Sequence, residues 1–522
     1  MRASLVSSIA VGCAAALALP LSLTTPAAAA PVPAPARAAS DAGLADLAGS
    51  TQSLPLEPLA PDGPRERAGG RAAPDERGLT RREVRPFSLV GVVWDDARTP
   101  LHGTVQVRTR ATADGAWSRW QDVETHYDEH GADPGTTEDR AAAPRGATAP
   151  LWVGDSDGVE VRVRPERGET EETGRTAGTD GVDRTAGTDG VGRTAGTEKA
   201  GETAGELPAG LRLELVDPGR EPAGAPSDRV LAAPAADGAD GGEAAPMSYI
   251  QLTDPYTSST DLSELSEQAG EKAAVAAEQA AESAAANADL APYGTSAIPA
   301  LSQAQTLASL PEAATAKAKP YIGARPKIVT RKGWGADEGL REGGFVYTKT
   351  VKAAFVHHSA TGNNYTCGDA PAVLRGIYRY HVKSLRWRDL GYNFAVDKCG
   401  SIYEGRAGGV AKAVQGAHTM GFNGNSMGIA VLGTYGSTNP PAAAVTAIAR
   451  LTAWKLGLFG ANPKSKTTLT SGGGNRFKKG TKVKLNVISG HRDGFATECP
   501  GKRLYGKLGT ARSASAKYQG RH

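Results

Sequence analysis

The sequence predicts two folded bodies in a chain whose remainder has little capacity to fold: an all-β N-terminal domain and, after long disordered linkers, a denser C-terminal domain. Three observations predict this division. Aromatic residues are only 6% of the 522, and 65 Gly and 33 Pro leave long segments unable to bury enough apolar surface to offset the entropy of ordering. Short runs of alternating apolar and polar residues cluster between residues 84 and 218. Beyond residue 320 the chain turns to dense apolar runs, with three of the four cysteines and five histidines ahead of the terminal one.

At the N-terminus, Arg2 precedes an apolar stretch over residues 5–23, and Ala28-Ala29-Ala30 offers a small-residue cleavage pattern. This reads as a secretory signal peptide over residues 1–30, so the mature protein is expected outside the cell. Lipid anchoring at Cys13 fits less well, because the apolar run continues past it. No later stretch approaches about 18 unbroken apolar residues, so no transmembrane segment is expected. Residues 31–83, rich in Ala, Pro, Arg and Asp, are expected to be disordered.

Residues 86–94 and 104–110 read as strands, and residues 151–153, 159–163 and 211–215 continue the pattern, with Trp117 and Trp120 between them. The expectation is a β-sandwich-like or jelly-roll domain over residues 84–218. His102, His126 and His130 fall among its turn residues and read as solvated or structural. A nine-residue repeat beginning at Arg175, Arg184 and Arg193 lacks the Gly pairs and large apolar position of a calcium-binding β-roll. It reads as a disordered insertion over about residues 166–206. Residues 219–320 read as an Ala-rich linker, helical in part but with no large apolar face.

The formal net charge of +3 conceals an asymmetry. Residues 321–522 hold 31 Lys+Arg against 9 Asp+Glu, a net +22, whereas the first 320 hold 28 against 47, a net −19. A basic half favours a polyanionic partner. Outside a bacterial cell the candidates are anionic wall polymers and membrane surface. No nucleic-acid-binding motif is present, so nucleic acid is not an expected partner.

Residues 353–359 form an apolar strand ending in His357-His358. Neighbouring strand residues face opposite ways, so one imidazole is free for a task while the other packs or is solvated. Far downstream, His491 and Cys499 lie eight residues apart across a Gly-containing loop, a spacing that lets both close on one ion. Imidazole and thiolate favour zinc, and two His with one Cys leave a fourth position for water, as catalytic sites do. Once Cys13 leaves with the signal peptide, three cysteines remain in an oxidising compartment. Either Cys367 and Cys399 pair and Cys499 serves as a ligand, or the three pair otherwise with one left free.

Several blocks now stand in a recognisable order: Gly333-Trp334-Gly335-Ala336; residues 355–360; Trp387 to Phe394; Ile402-Tyr403-Glu404-Gly405-Arg406; Gly416-Ala417-His418 to Asn423; Ser426 to Ile429; and Gly490-His491-Arg492-Asp493 through Cys499-Pro500. From about residue 326 to 508 the sequence resembles the zinc-dependent N-acetylmuramoyl-L-alanine amidases of the peptidoglycan recognition protein and phage-lysozyme-type superfamily. The resemblance implies an α/β domain over residues 321–512, with a central mixed β-sheet flanked by helices. Strands fit near Ala353, Asn393, Ser401 and Met427, and helices at residues 371–384 and 442–458.

The resemblance also implies a zinc ion held by His357, His491 and Cys499, with Tyr392 and Thr497 assisting hydrolysis of the lactyl–L-alanine amide of peptidoglycan. Substrate-groove positions match His418 and Asn423, and Arg406 is a candidate for a carboxylate or for holding its loop. A Lys stands in some relatives where Thr497 stands here, so the main oxyanion donor and the general base are left open. The alternative is a recognition protein with little or no hydrolysis, but such members often lack the Cys that this chain keeps. His381 reads as a core-edge residue, and Glu404 and Glu498 as surface or structural. Residues 466–486 read as an inserted basic hairpin suited to anionic wall polymer.

Overall fold

The computed structural model of the chain describes residues 49–59, 76–125, 127, 130–141, 143–166, 206–220, 259–310 and 321–521. The expected signal peptide, the nine-residue repeat and His126 lie outside them. Eight strands build the N-terminal domain: β1 (Ser50–Pro55), β2 (Glu57–Pro58), β3 (Arg77–Trp94), β4 (Gly103–Ala111), β5 (Gln121–Val123), β6 (Gly146–Ala147), β7 (Leu151–Pro165) and β8 (Arg212–Asp217). Antiparallel pairing joins them in the order β1-β8-β3-β7-β4-β5, with β2 and β6 also on β3. Register shifts along β3 mark bulges, which bend a long strand. Val90, Val92, Val105, Val107, Val161 and Leu213 all meet in one core, so the sheet curls over its own interior. Residues 50–58 and 77–83 were expected to be disordered, and here the structure corrects the expectation. They are strands because β8 and the long β7 supply the hydrogen-bonding edges that a local reading of an Ala/Pro/Arg-rich segment does not reveal.

The apolar run at residues 87–94 does not alternate because both of its faces are buried. One face fills the β-domain core. The other, with Leu89 and Val93, joins Val216 of β8 against the C-terminal domain. The partner is helix α5 (Ala370–Arg379), whose Val373, Leu374 and Ile377 share that cluster. Gly91 is required at this crossing, because any Cβ there would collide with the ring and hydroxyl of Tyr380. The described residues all belong to one compact unit, Leu44–His522, so this junction is part of the fold.

In the C-terminal domain, seven strands form a mixed sheet in the order β17-β11-β14-β12-β13-β10-β9. They are β9 (Ala297–Ile298), β10 (Ile328–Val329), β11 (Ala353–His358), β12 (Phe394–Val396), β13 (Ile402–Glu404), β14 (Ser426–Val431) and β17 (Ile488–Gly490). β17, β11, β14 and β12 run parallel, and β12 pairs antiparallel with β13. The hairpin β15 (Lys466–Thr470) and β16 (Lys482–Asn486) stands apart, where a basic hairpin was expected. The helices are α1 (Thr137–Ala141) in the N-terminal domain, then α2 (Ser259–Ala285), α3 (Gln303–Ala308), α4 (Arg331–Trp334), α5, α6 (Ala442–Leu458), α7 (His491–Gly494), α8 (Lys502–Tyr505) and α9 (Leu508–Tyr518). A π-helical turn, Tyr380–Ser384, continues α5.

Residues 283–308 were expected in the linker, and the structure moves them into this domain. Asn287 donates to Glu404 (2.8 Å) and accepts from the Val410 amide (2.9 Å), Ser283 donates to Glu338 (3.0 Å), and β9 extends the sheet. Apolar contacts add to this anchoring: Ile298 is fully buried in the main core, and Leu290, Ala291 and Leu307 pack against it. The carboxylates that Ser283 and Asn287 meet are buried. Burial raises the Glu404 pKa to about 7 against the hydrogen bond from Asn287 and the nearby Arg331.

Candidate metal centre

The parallel pairing of β11 with β17 places Val356 opposite Gly490. The next residue in each case is a histidine, His357 on β11 and His491 at the start of α7, so the two stand side by side at the carboxyl edge of the sheet, where open α/β sheets bind ligands. Their Nδ1 atoms are 3.1 Å apart. Cys499 is carried in by the loop after α7. The Arg492 amide donates to the Cys499 carbonyl (3.0 Å), and Asp493 holds the Gly490 amide (2.9 Å) and the Tyr505 hydroxyl (2.7 Å). Cys499 Sγ lies 3.8 Å from His357 Nδ1. Cys367 and Cys399 form a disulfide, which leaves Cys499 buried outside it and decides between the two readings of the thiols.

His130 of the N-terminal domain completes the cluster. One ligand atom from each of His130, His357, His491 and Cys499 lies within 4.8 Å of all the others, and all four residues are buried. Donor atoms on one tetrahedral zinc stand about 3.3–3.6 Å apart, given Zn–N near 2.0–2.1 Å and Zn–S near 2.3 Å. The His357–His491 and His357–Cys499 spacings of 3.1 and 3.8 Å lie close to these values, and the whole set lies within 4.8 Å. Burial, followed by the neighbouring imidazoles, holds His130 and His357 well below the usual histidine pKa. Both are neutral near pH 7, as metal ligation requires. His130 is thus not solvated but buried in the cluster: its ring centroid is 4.6 Å from that of His491 and 5.3 Å from that of His357.

Behind the ligands, Thr419 Oγ1 lies 3.4 Å from His357 Nε2 and 3.0 Å from His418 Nδ1. Groups in this position fix a ligand's tautomer and ring plane. Thr419 was not singled out from the sequence, and its place next to His418 was the available clue. His418 itself is fully buried, packed against Gly416 and Gly428, so it stands behind His357 rather than at a groove surface. Replacing Thr419 by Val should lower zinc affinity by about 10–100-fold, read by chelator competition on the folded protein. Unchanged affinity would remove Thr419 from any positioning role.

Tyr392 is buried, with its ring centroid 5.4 Å from that of His357. Its hydroxyl lies 3.2 Å from that of Tyr127, which is 2.7 Å from His381 Nε2. His381 Nδ1 accepts from the Gly391 amide (3.1 Å), and burial lowers its pKa to about 3. It is therefore neutral, with its proton on Nε2 facing Tyr127. Thr497 Oγ1 accepts from the Cys499 amide (3.0 Å) and so braces the ligand loop. Asn423 Oδ1 accepts from the His418 and Thr419 amides (2.7 and 3.0 Å). Arg406 donates to the carbonyls of Leu390 (2.8 Å) and Gln415 (3.3 Å). Glu404 is structural, and Glu498 sits at the surface beside Arg492.

A mixed α/β sheet bearing a buried His/His/Cys cluster at the carboxyl ends of parallel strands defines a domain with a metal-competent centre. The comparisons identify its family. Residues 347–502 match the family model for N-acetylmuramoyl-L-alanine amidase, and residues 38–186 match one described as Rv3811 N-terminal galactose-binding domain-like. Peptidoglycan-recognition protein SC2 of Drosophila simulans is 30% identical over 185 residues, which are 35% of this chain and 85% of that protein. The peptidoglycan recognition protein of Trichoplusia ni is 28% identical over 182 residues, 35% of this chain and 85% of that one. Among solved structures, human PGRP-IBETAC in complex with glycosamyl muramyl pentapeptide is 28% identical. That match covers 35% of this chain and 94% of the other, with a TM-score of 0.28. The chain belongs to the peptidoglycan recognition protein and N-acetylmuramoyl-L-alanine amidase superfamily.

Proposed function

We propose that the protein is a secreted, zinc-dependent N-acetylmuramoyl-L-alanine amidase that hydrolyses the lactyl–L-alanine amide of peptidoglycan. The observation that carries this reading is Cys499, buried 3.8 Å from His357 Nδ1 and completing a zinc-competent donor set with His491. When bound there, zinc would supply an activated water at neutral pH and a Lewis acid for the amide carbonyl. The chain's own residues do the rest. Tyr392 offers a phenol beside His357 for the developing oxyanion, and Thr497 offers a second hydroxyl near the ligand loop. Thr419 and His418 keep the His357 ring in place. Asn423 and Arg406 are suited to bind the carboxylates of a stem peptide.

The test is release of new amino-terminal alanine from purified wall. Treatment with a zinc chelator should abolish the release, and added zinc should restore it. Release that survives complete zinc removal would overturn the zinc mechanism. Secretion rests on the residues 1–30 pattern and on the disulfide, and no described helix is long and apolar enough to cross a membrane.

The β15–β16 hairpin is proposed to grip anionic wall polymers. It points Lys466, Lys482 and Lys484 to solvent while Leu469, Val483 and Leu485 pack inward. Neutralising the three lysines should weaken co-sedimentation with wall and flatten its salt dependence. No change in either would refute the role.

A further inference from the structure

We propose that the N-terminal domain holds the amidase latent, with His130 acting as a fourth protein ligand to the metal and the residues after it filling the substrate groove as an acidic-peptide mimic. The inference rests on the amidase reading above. It begins with ligand count. A catalytic zinc keeps one position open for water, whereas a site with four protein ligands is closed. His357, His491 and Cys499 come from the C-terminal domain, and the fourth donor comes from a loop of the other domain, more than 200 residues away in sequence.

The same loop occupies the groups proposed to bind substrate. The Asp133 carboxylate accepts from the Asn423 side chain (2.7 Å) and from the Gly421 amide (2.8 Å), and the Gly131 carbonyl accepts from Asn423 Nδ2 (2.9 Å). Glu138, in α1, takes both terminal nitrogens of Arg406 at 2.7 and 2.9 Å. Tyr127 brings its hydroxyl to Tyr392 and stacks its ring on His130, with ring centroids 4.4 Å apart. Ligand, carboxylate and phenol thus meet the three kinds of group that hydrolysis of an acidic muramyl peptide would use.

These contacts carry their own cost. Burial drives the Asp133 pKa upward, and the hydrogen bonds from Asn423 and Gly421 oppose it. A buried carboxylate needs donors of this kind, and the groove supplies them. Leu89, Val93 and Val216 also join α5 away from His130 and Asp133, which gives the domains a second attachment, although Tyr127 shares that cluster.

The experiment compares the full-length protein with two variants, His130→Ala and Asp133→Asn/Glu138→Gln, the second of which leaves every metal ligand in place. Each is loaded with Co²⁺ and its visible spectrum is followed while acetohydroxamate is added. The wild type should show a tetrahedral spectrum that acetohydroxamate does not alter. In His130→Ala it should shift at once, and in the double variant it should shift at concentrations about tenfold lower than any that affect the wild type. Amidase activity on wall should rise by about tenfold or more in both variants, because opening the site removes the penalty of a mostly closed population. A wild-type spectrum that responds to acetohydroxamate as readily as the variants do would overturn latency. So would wall hydrolysis by the wild type at the variants' rate. If the spectra differ as expected but no form cleaves wall, the closed site stands and the amidase reading fails.

Discussion

Replacing Cys499 by Ala should reduce wall hydrolysis by about 10³-fold or more, which corresponds to about 4 kcal/mol of transition-state stabilisation. Cys499 is the only thiolate among the four clustered donors, and its side chain is buried where water cannot readily take its place. The effect on metal content depends on His130. In the native background Cys499→Ala still presents three imidazoles, so the protein should retain zinc with reduced affinity. In the His130→Ala background only His357 and His491 remain, and zinc should be lost on dialysis. Metal analysis of the two forms, alongside release of amino-terminal alanine, checks both halves of the prediction. Equal hydrolysis by Cys499→Ala and its parent would leave the zinc mechanism without support.

The second large effect is on stability. Arg331→Met should destabilise the C-terminal domain by about 3–5 kcal/mol, because removing one partner of a buried ion pair leaves charge buried and uncompensated. Arg331 is 1% exposed and binds Glu338 at 2.7 Å, Asp389 at 3.1 Å and the Gly405 carbonyl at 2.7 Å. Its guanidinium also lies over the rings of Trp334 and Tyr378. For a domain of this size the loss corresponds to a Tm lower by about 10 °C. Adding Glu338→Gln and Asp389→Asn should recover part of the loss, since the orphaned charges go with them. Calorimetry of the single and triple variants tests this, and a Tm shift under about 2 °C for Arg331→Met would contradict it.

Much of the C-terminal domain was legible because its signals are local. The apolar run of β11 ends in two histidines, the His491–Cys499 loop is short, and the strands near Asn393, Ser401 and Met427 stand where the family resemblance puts them. The polar part of the anchoring of residues 283–308 was not legible, since Ser283 and Asn287 have meaning only opposite the carboxylates they meet. His130 was missed for the same reason. A signal did exist: the 22 residues between β5 and β6 are too many for a hairpin and, among the described residues, contain only the five-residue α1. Loops of that length in a compact domain are often functional.

By itself, then, the sequence determined the chemistry available: two histidines and a cysteine at positions where strand ends and a short loop bring them within reach of one ion. Strand parity and loop length are properties of neighbours along the chain, so they can be read from it. Only the tertiary structure decided that a third histidine faces the same point and that Asp133 and Glu138 lie on Asn423 and Arg406. Those contacts join residues more than 200 positions apart, through the packing of two domains across α5. Their geometry is set by the burial of Leu89, Val93 and Val216 at that junction, which no local pattern encodes.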